Sequence, residues 1–280
     1  MNVANRTLFI ADNLDIMRGI DSETIDLIYL DPPFNTNRNY KAPIGSAAEG
    51  AQFKDIWTDA DIKQEWHGHI AAEHEELYQV IHASEFIHGK SMKIYLTAMA
   101  VRLFEMQRLL KPSGSIYLHC DPTASHYLKL ILDDMFNGDN FRNEIVWHYY
   151  NGSSNSKRNY ARKHDTILFY ANGKENMFDD VAAREPYAEN SNWVKNPKSY
   201  GGDYKANPNG KRMHDVWRIP SLNNMAKERT GYPTQKPLAL LDRIIKASSN
   251  ENDVVLDPFC GCATACVAAE KLQRQWIGID

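Results

Sequence analysis

The sequence lacks the features of a membrane or secreted protein. Although 43% of its 280 residues are hydrophobic, no uninterrupted apolar run has membrane-spanning length, which requires about 20 residues. Residues 1–5 show no secretory signal. The sequence therefore predicts a soluble protein in the cytoplasm with no membrane partner.

An excess of basic charge is also absent, since 32 Lys and Arg stand against 36 Asp and Glu. This balance argues against indiscriminate nucleic-acid binding, but phosphate affinity depends on local patches. Two basic segments qualify, one with Lys157, Arg158, Arg162 and Lys163 and the other with Lys195, Lys198, Lys205 and Lys211. Both are candidates for phosphate contacts, and a solvated hairpin loop is the alternative for the first.

Cysteine is scarce, with four residues in all, of which Cys260, Cys262 and Cys266 fall within seven positions. Structural zinc usually takes ligand pairs from two separated knuckles. Cys262 and Cys266 lie instead near one helix start. We therefore predict no metal site and expect reduced thiols in the core and the turn.

A rigid acidic segment follows the apolar run 25–30, namely Asp31, Pro32, Pro33 and Phe34. The two prolines continue neither a sheet ladder nor a helix. The Asp31 carboxylate and a nearby carbonyl can accept hydrogen bonds from an amino group, and Phe34 offers a flat face for a base. The segment is therefore a candidate site for a planar amine. A plain Pro-Pro turn with a buried Phe is the alternative.

Residues 254–280 have the pattern of strand, small-residue turn, helix and second strand. The turn spans residues 257–264, and Asp280 follows Gly261 by 19 positions. In nucleotide-binding β-α-β units the turn lets a cofactor approach the backbone, and an acid about 20 positions later bonds a ribose hydroxyl. The pattern predicts such a cofactor here.

These two segments resemble the catalytic and cofactor motifs of the S-adenosylmethionine-dependent amino-methyltransferases that modify DNA bases. Asp31 to Phe34 is similar to the catalytic tetrapeptide, and residues 257–264 to the cofactor turn, with Ala263 where a second Gly is usual. Residues 231–237 are similar to the segment that precedes this turn. The catalytic motif comes first, which is the circularly permuted order of the β group of these enzymes.

The resemblance implies that Asp31, Pro32, Pro33 and Phe34 are catalytic. It implies S-adenosylmethionine as the cofactor, bound by Asp12, Thr234, Gln235, Lys236, Asp257, Phe259, Gly261, Thr264 and Asp280. Asp12 has a second interpretation as a helix N-cap, because Asp is a favoured cap. Both roles can hold together.

The implied reaction is methyl transfer to the exocyclic amine of a base flipped out of double-stranded DNA. Asp at the first position of the tetrapeptide is more typical of the adenine-N6 enzymes, so adenine is expected and N4 of cytosine is the alternative. Two further alternatives are a catalytically impaired DNA-binding or modification subunit and a methyltransferase of RNA or protein amines. A restriction or specificity subunit and a homodimer are additional partners to consider.

Alternating strand and helix patterns predict an α/β fold with a doubly wound, mostly parallel, Rossmann-like sheet that is circularly permuted. The strands at 144–150 and 166–170 are expected to form an antiparallel edge pair. We predict a catalytic half at 1–174, a target-recognition region at 175–229 and a cofactor half at 230–280. A mobile insertion without a clear strand is expected at 35–90. The family continues with a helix beyond the acid at 280, so a fragment or a helix supplied by a partner is expected.

Overall fold

A computed structural model describes residues 2–151, 157–191, 206–223 and 225–280. The helices are α1 (Asn13–Arg18), α2 (Gln64–Glu73), α3 (Glu75–His88), α4 (Lys90–Leu109), α5 (Ser125–Phe136), α6 (Leu238–Ser248) and α7 (Thr264–Lys271). The strands are β1 (Thr7–Phe9), β2 (Ile25–Leu30), β3 (Arg38–Lys41), β4 (Gln52–Asp55), β5 (Leu110–Cys120), β6 (Phe141–His148), β7 (His164–Ala171), β8 (Arg184–Glu185), β9 (Lys211–Arg212), β10 (Val216–Arg218), β11 (Val254–Asp257) and β12 (Gln275–Ile279). None of the helices in these ranges combines the length and apolar character needed to cross a membrane.

Eight strands form one sheet in the order β1-β12-β11-β2-β5-β7-β6-β10. All neighbouring pairs are parallel except the two that involve β7. Helices cover both faces of this sheet. The predicted α/β fold with a mostly parallel sheet is therefore confirmed, and strands β11 and β12 insert between β1 and β2.

Strand β2 is buried on both faces of the sheet. Ile28 and Leu30 pack in one core cluster with α4 and α5, whereas Leu27 and Tyr29 pack in a second cluster with α6 and α7. Because alternate residues point to opposite faces, a doubly covered strand needs a nearly continuous apolar run. This burial holds the carboxyl end of β2, and hence Asp31, in a fixed place.

The prediction that 35–90 contains no clear strand is wrong, because β3 and β4 form an antiparallel hairpin there. Both strands are short and largely polar, so they lack the apolar alternation that marks a strand. Stacking of Tyr40 on Phe53, with ring centroids 4.8 Å apart, holds the hairpin. The buried Asp55 carboxylate accepts hydrogen bonds from the backbone N–H groups of Asn35 and Thr36.

Strands β6 and β7 pair antiparallel as predicted, but they are not the edge of the sheet. Strand β10 lies outside β6 and runs parallel to it, and Trp147 Nε1 donates to the carbonyl of Ile219 at 2.8 Å. A three-residue strand gives too weak a pattern to predict. The predicted recognition region at 175–229 therefore contributes a strand to the main sheet.

Candidate active site

The two motifs meet in one pocket at the carboxyl ends of β2 and β11. These strands are parallel neighbours, so the residues that follow them lie at the same edge, where open α/β sheets bind ligands. The pocket is open on one side, and its empty space together with the adjoining solvent is about 950 Å³. The predicted site residues that line it are Asp31, Pro32, Pro33, Phe34, Thr234, Gln235, Lys236, Asp257, Phe259, Gly261, Thr264 and Asp280.

The Asp31 carboxylate has one engaged and one unengaged oxygen. Oδ2 accepts a hydrogen bond from Nζ of Lys236, and the two side chains are only 18% and 9% exposed. Oδ1 is buried and has no hydrogen-bond partner among the described residues. Because a buried polar atom without a partner is costly, Oδ1 is suited to accept a hydrogen bond from a bound molecule.

The ring of Phe34 is held between the motif and a buried histidine. It stacks on His119 with centroids 5.8 Å apart and planes inclined by 27°, while Lys236 Nζ lies 5.6 Å from its centroid. The half-buried ring still lines the pocket. It can therefore support a planar group. The sequence pattern did not single out His119, which is one polar residue in an apolar strand.

The cofactor turn brings the backbone into the pocket. Gly261 has a φ of +48°, and a Cβ there would lie 2.9 Å from the ring of Tyr232, closer than real Cβ contacts. Ala263, at the position where the family usually has Gly, adopts a left-handed φ of 59° and caps α7. An L-residue can adopt this conformation at a cost of about 1–2 kcal/mol. The turn therefore keeps the path of a glycine-rich loop.

Two acids face the turn. Asp257 is 4% exposed, and its Oδ1 accepts a hydrogen bond from the Phe259 N–H at 3.1 Å. Burial, together with the nearby charges of Asp31 and Asp280, raises the pKa of Asp257 to about 8. Burial also raises the pKa of Asp280, although the N–H of Gly261 hydrogen-bonds its carboxylate.

Asp12 is the one predicted cofactor residue outside the pocket lining. Its Oδ1 accepts a hydrogen bond from the Leu14 N–H at 2.8 Å, so the N-cap interpretation is confirmed. Its carboxylate also pairs with Arg102 at 3.0 Å. The neighbours Ala11 and Asn13 line the pocket instead. A cofactor contact by Asp12 stays a prediction.

Gln235 lines the pocket but uses its amide to brace the preceding loop. Its Nε2 donates to the carbonyl of Glu228 at 2.8 Å, and its Oε1 accepts from the Thr230 N–H at 2.8 Å. Thr234 has a left-handed φ of 61°. These contacts hold the loop so that Lys236 points to Asp31.

Aromatic residues that were not predicted as site residues form one wall of the pocket. Tyr40 and Phe53 come from the β3–β4 hairpin, and Tyr232 stacks on Phe53 with centroids 6.3 Å apart. Tyr232 belongs to the segment 231–237 and could have been chosen from it. Nothing in the sequence pattern marked Tyr40 and Phe53 as site residues.

A second hollow of about 1030 Å³ adjoins the first and shares Phe34, Tyr232 and Lys236 with it. Its other walls include Trp147, Tyr149, Asp165, Ser221 and Arg229. Phe34 and Lys236 therefore line both spaces. One contains the cofactor turn, and the other is aromatic and polar.

The predicted phosphate contacts are described only in part. Lys157, Arg158 and Arg162 are exposed, whereas Lys163 Nζ donates to the carbonyl of Asn151 at 3.0 Å. The predicted contacts Lys195, Lys198 and Lys205 lie outside the described residues. Phosphate contacts by Lys157, Arg158 and Arg162 stay a prediction.

The thiols are not paired. Cys260 and Cys266 are buried, and Cys262 Sγ lies 3.3 Å from Thr264 Oγ1. In the described part of the chain, no three His, Cys, Asp or Glu side chains are grouped so as to hold a metal ion.

Comparison with known proteins gives this pocket its context. The sequence model of the N6/N4 DNA methylases matches residues 25–280. The DNA adenine methyltransferase YhdJ of Escherichia coli (strain K12) is 27% identical over 285 residues, covering 98% of this chain and 78% of that protein. Two solved structures share the fold. The M1.HpyAVI–SAM complex has a TM-score of 0.55, 19% identity and coverage of 98% and 92%. The cytosine-N4-specific PvuII DNA methyltransferase has a TM-score of 0.58, 16% identity and coverage of 99% and 82%.

The chain belongs to the N6/N4 family of DNA methylases, whose methyl donor is S-adenosylmethionine. The pocket offers the carboxyl groups of Asp257 and Asp280, the half-buried ring of Phe259 and, at Gly261, a residue that has no side chain of its own. The predicted family and cofactor are therefore confirmed.

Proposed function

We propose that this DNA methyltransferase transfers a methyl group to N6 of adenine in a base flipped out of double-stranded DNA. The buried Oδ1 of Asp31, which has no hydrogen-bond partner in the described part of the chain, carries the proposal. It lies in a pocket formed by both motifs, where an exocyclic amine can supply the missing hydrogen bond. A base within a duplex cannot reach such a pocket without flipping.

The amine of an aromatic base is a poor nucleophile because its lone pair is delocalised into the ring. A hydrogen bond from the amine to Asp31 and another to a carbonyl near Pro32 would favour a tetrahedral nitrogen and free the lone pair. Phe34 would support the ring by stacking. No covalent enzyme intermediate is needed.

Residues of the cofactor turn and the acid that follows β12 would hold the cofactor. Asp280 would bind the ribose hydroxyls, Phe259 would contact the adenine, and Asp257 would lie near its amino group. When bound, S-adenosylmethionine supplies an electrophilic methyl group. Lys236 would hold Asp31 in place while the base binds.

Adenine is favoured over cytosine because the tetrapeptide begins with Asp and because the relative YhdJ is an adenine methyltransferase. N4 of cytosine is the second candidate, since the cytosine-N4-specific PvuII enzyme shares the fold. Both bases present a planar exocyclic amine. The contacts to Asp31 and Phe34 would be the same in either case.

DNA recognition belongs to the same proposal. The adjoining hollow beside Phe34 would receive the flipped base, the segment with Lys157 and Arg158 would contact phosphates, and part of 175–229 would select the sequence. The insertion 35–90 would close over the base. A cytoplasmic location and pairing with a restriction or specificity subunit, or with a second copy of the chain, are further proposals.

The test is incubation with labelled S-adenosylmethionine and separate DNA, RNA and protein pools, followed by digestion to nucleosides. We expect label in N6-methyl-2′-deoxyadenosine from DNA, and we expect Asp31→Ala to abolish it. Label in methylcytosine would show that the target base is cytosine and not adenine. Label only in RNA or protein, or full activity of Asp31→Ala, would refute the proposal.

A further inference from the structure

A buried carboxylate outside the two motifs holds the chain that leaves the tetrapeptide 31–34. Asp55, the last residue of β4, is 1% exposed. Its Oδ1 accepts a hydrogen bond from the N–H of Asn35 at 2.6 Å, and its Oδ2 accepts one from the N–H of Thr36 at 2.9 Å. The hydroxyl of Thr36 also donates to Oδ2, at 2.5 Å. Asp55 therefore fixes the two residues that directly follow Phe34.

The backbone that Asp55 holds has an unfavourable shape. Asn35 adopts a left-handed φ of 60° and is buried, with its side-chain oxygen accepting a hydrogen bond from Ser91 Oγ at 2.8 Å. Thr36 Oγ1 also lies 3.1 Å from the hydroxyl of Tyr40 on β3. Buried backbone N–H groups need acceptors, and an ionised carboxyl is a side chain that only accepts. Asp55 therefore stabilises this shape and joins it to the hairpin.

The hairpin that carries Asp55 forms a wall of the cofactor pocket. Tyr40 and Phe53 line this pocket together with the cofactor turn. Phe53 stacks on Tyr40 and on Tyr232, with centroids 4.8 Å and 6.3 Å apart, and the ring of Tyr232 occupies the space beside Gly261 that a Cβ would need. The three rings thus extend from the hairpin to the turn. Displacement of the hairpin would open this side of the pocket.

The far end of the hairpin reaches the loop before α6. The N–H of Ala48 donates to the carbonyl of Thr230 at 3.1 Å. Gly231 packs against Ser46 so closely that a Cβ at 231 would clash with it. The hairpin is therefore attached at two places, at one end through Asp55 to the residues after the tetrapeptide and at the other to residues 230–231.

We propose that the β3–β4 hairpin is part of the cofactor site and that Asp55 is the positioning residue that docks it there. Only the catalytic role of the neighbouring tetrapeptide rests on the proposed function. With the bonds to Asp55 intact, Tyr40 and Phe53 stay beside the cofactor turn. Without them the hairpin is docked for only a fraction of the time, and the apparent affinity for S-adenosylmethionine falls by that fraction.

The test compares Asp55→Asn, Thr36→Val and Phe53→Leu with Thr36→Ser and Lys54→Ala. The amide nitrogen of Asn cannot accept the bonds made to Oδ2, and Val removes the hydroxyl that Ser retains. Lys54 is the exposed neighbour on β4, and its Nζ lies 3.5 Å from Asp61. Calorimetry measures the binding of S-adenosylmethionine without DNA. Hydrogen exchange, followed by mass spectrometry, shows where each variant loosens.

We expect Asp55→Asn to raise the dissociation constant of S-adenosylmethionine by about tenfold, and Thr36→Val by about fivefold, because each loses a hydrogen bond that docks the hairpin. Phe53→Leu should raise it by about fivefold, since the wall loses a flat ring. Thr36→Ser and Lys54→Ala should stay within about twofold of the wild type. Faster exchange in Asp55→Asn should be confined to residues 35–55.

Wild-type affinity in Asp55→Asn or in Phe53→Leu would overturn the proposal. So would an equal loss in Lys54→Ala, or faster exchange throughout the main sheet of Asp55→Asn, since either would indicate a general effect on the fold. If Asp55→Asn does not fold, the Thr36 pair decides, and equal affinities of Thr36→Val and Thr36→Ser would overturn it. Absence of methylated nucleoside with the wild-type protein would instead refute the proposed function and leave these affinities unchanged.

Discussion

Lys236 donates a hydrogen bond to Oδ2 of Asp31 across the pocket, so one residue predicted for the cofactor and one predicted for catalysis form a single ion pair. The partners are 205 positions apart in the sequence. Removal of one member of a buried pair leaves the other charge uncompensated. Substitution of either residue is therefore expected to change the stability of the protein as well as the pocket that the two residues share.

Lys236→Met should lower the free energy of unfolding by about 3 kcal/mol, because the Asp31 carboxylate loses its cation. The double variant Lys236→Met/Asp31→Asn should recover most of this loss while remaining inactive. Urea unfolding measures both effects. Equal stabilities of the single and double variants would contradict the coupling.

Asp257→Asn should change the dependence of stability on pH. The pKa of Asp257 in the folded protein is about 8, above its value of about 3.9 in an unfolded chain. Its contribution to stability is therefore fully present below about pH 4 and is lost as the pH rises toward 8. The amide oxygen of Asn can still accept the bond from the Phe259 N–H.

We expect Asp257→Asn to be more stable than the wild type at pH 8 by roughly 5 kcal/mol, and to differ little at pH 4. The exposed variant Asp139→Asn is the control. Thermal unfolding from pH 4 to 9 gives the comparison. If the stabilities of the wild type and Asp257→Asn depend on pH in the same way, the pKa of Asp257 is not raised in the folded protein.

Ala263→Gly should stabilise the protein by about 1 kcal/mol, because glycine adopts the left-handed conformation without the penalty of a Cβ. Ala268→Gly, in the helix α7 that Ala263 caps, is the matched control and should destabilise the protein by about 1 kcal/mol or more. Chemical unfolding of both variants tests the difference. Destabilisation by Ala263→Gly would mean that the methyl group packs favourably in the turn.

Arg158→Ala should weaken DNA binding and lower the salt dependence, since each lost phosphate contact reduces the slope of log affinity against log salt by about 0.9. Lys246→Ala, an exposed cation on α6, should change neither quantity. Fluorescence anisotropy at several salt concentrations provides both values. Identical slopes for the two variants would show that Arg158 does not contact DNA phosphates.

The sequence predicted the elements in which nearly every residue is buried. The bounds of β2 match the predicted run 25–30, in which every residue except Asp26 is hydrophobic. Strands β3, β4 and β10 were missed because they are short and depend on contacts such as Tyr40 with Phe53. The motifs identified most of the pocket lining. The contact between His119 and Asp165 could not be predicted, because it depends on which strands become neighbours.

The position of β11 and β12 between β1 and β2 has a consequence for the folding pathway. The N–H of Trp276 donates to Oδ1 of Asn5 across 271 positions of sequence, and β1 pairs directly with β12. Strand β1 therefore has no neighbour in the sheet, and β2 lacks one of its two neighbours, until the distant segment arrives. Such non-local pairing slows folding and leaves strand edges exposed in the meantime. We expect slow refolding, with intermediates that aggregate more readily than the native enzyme.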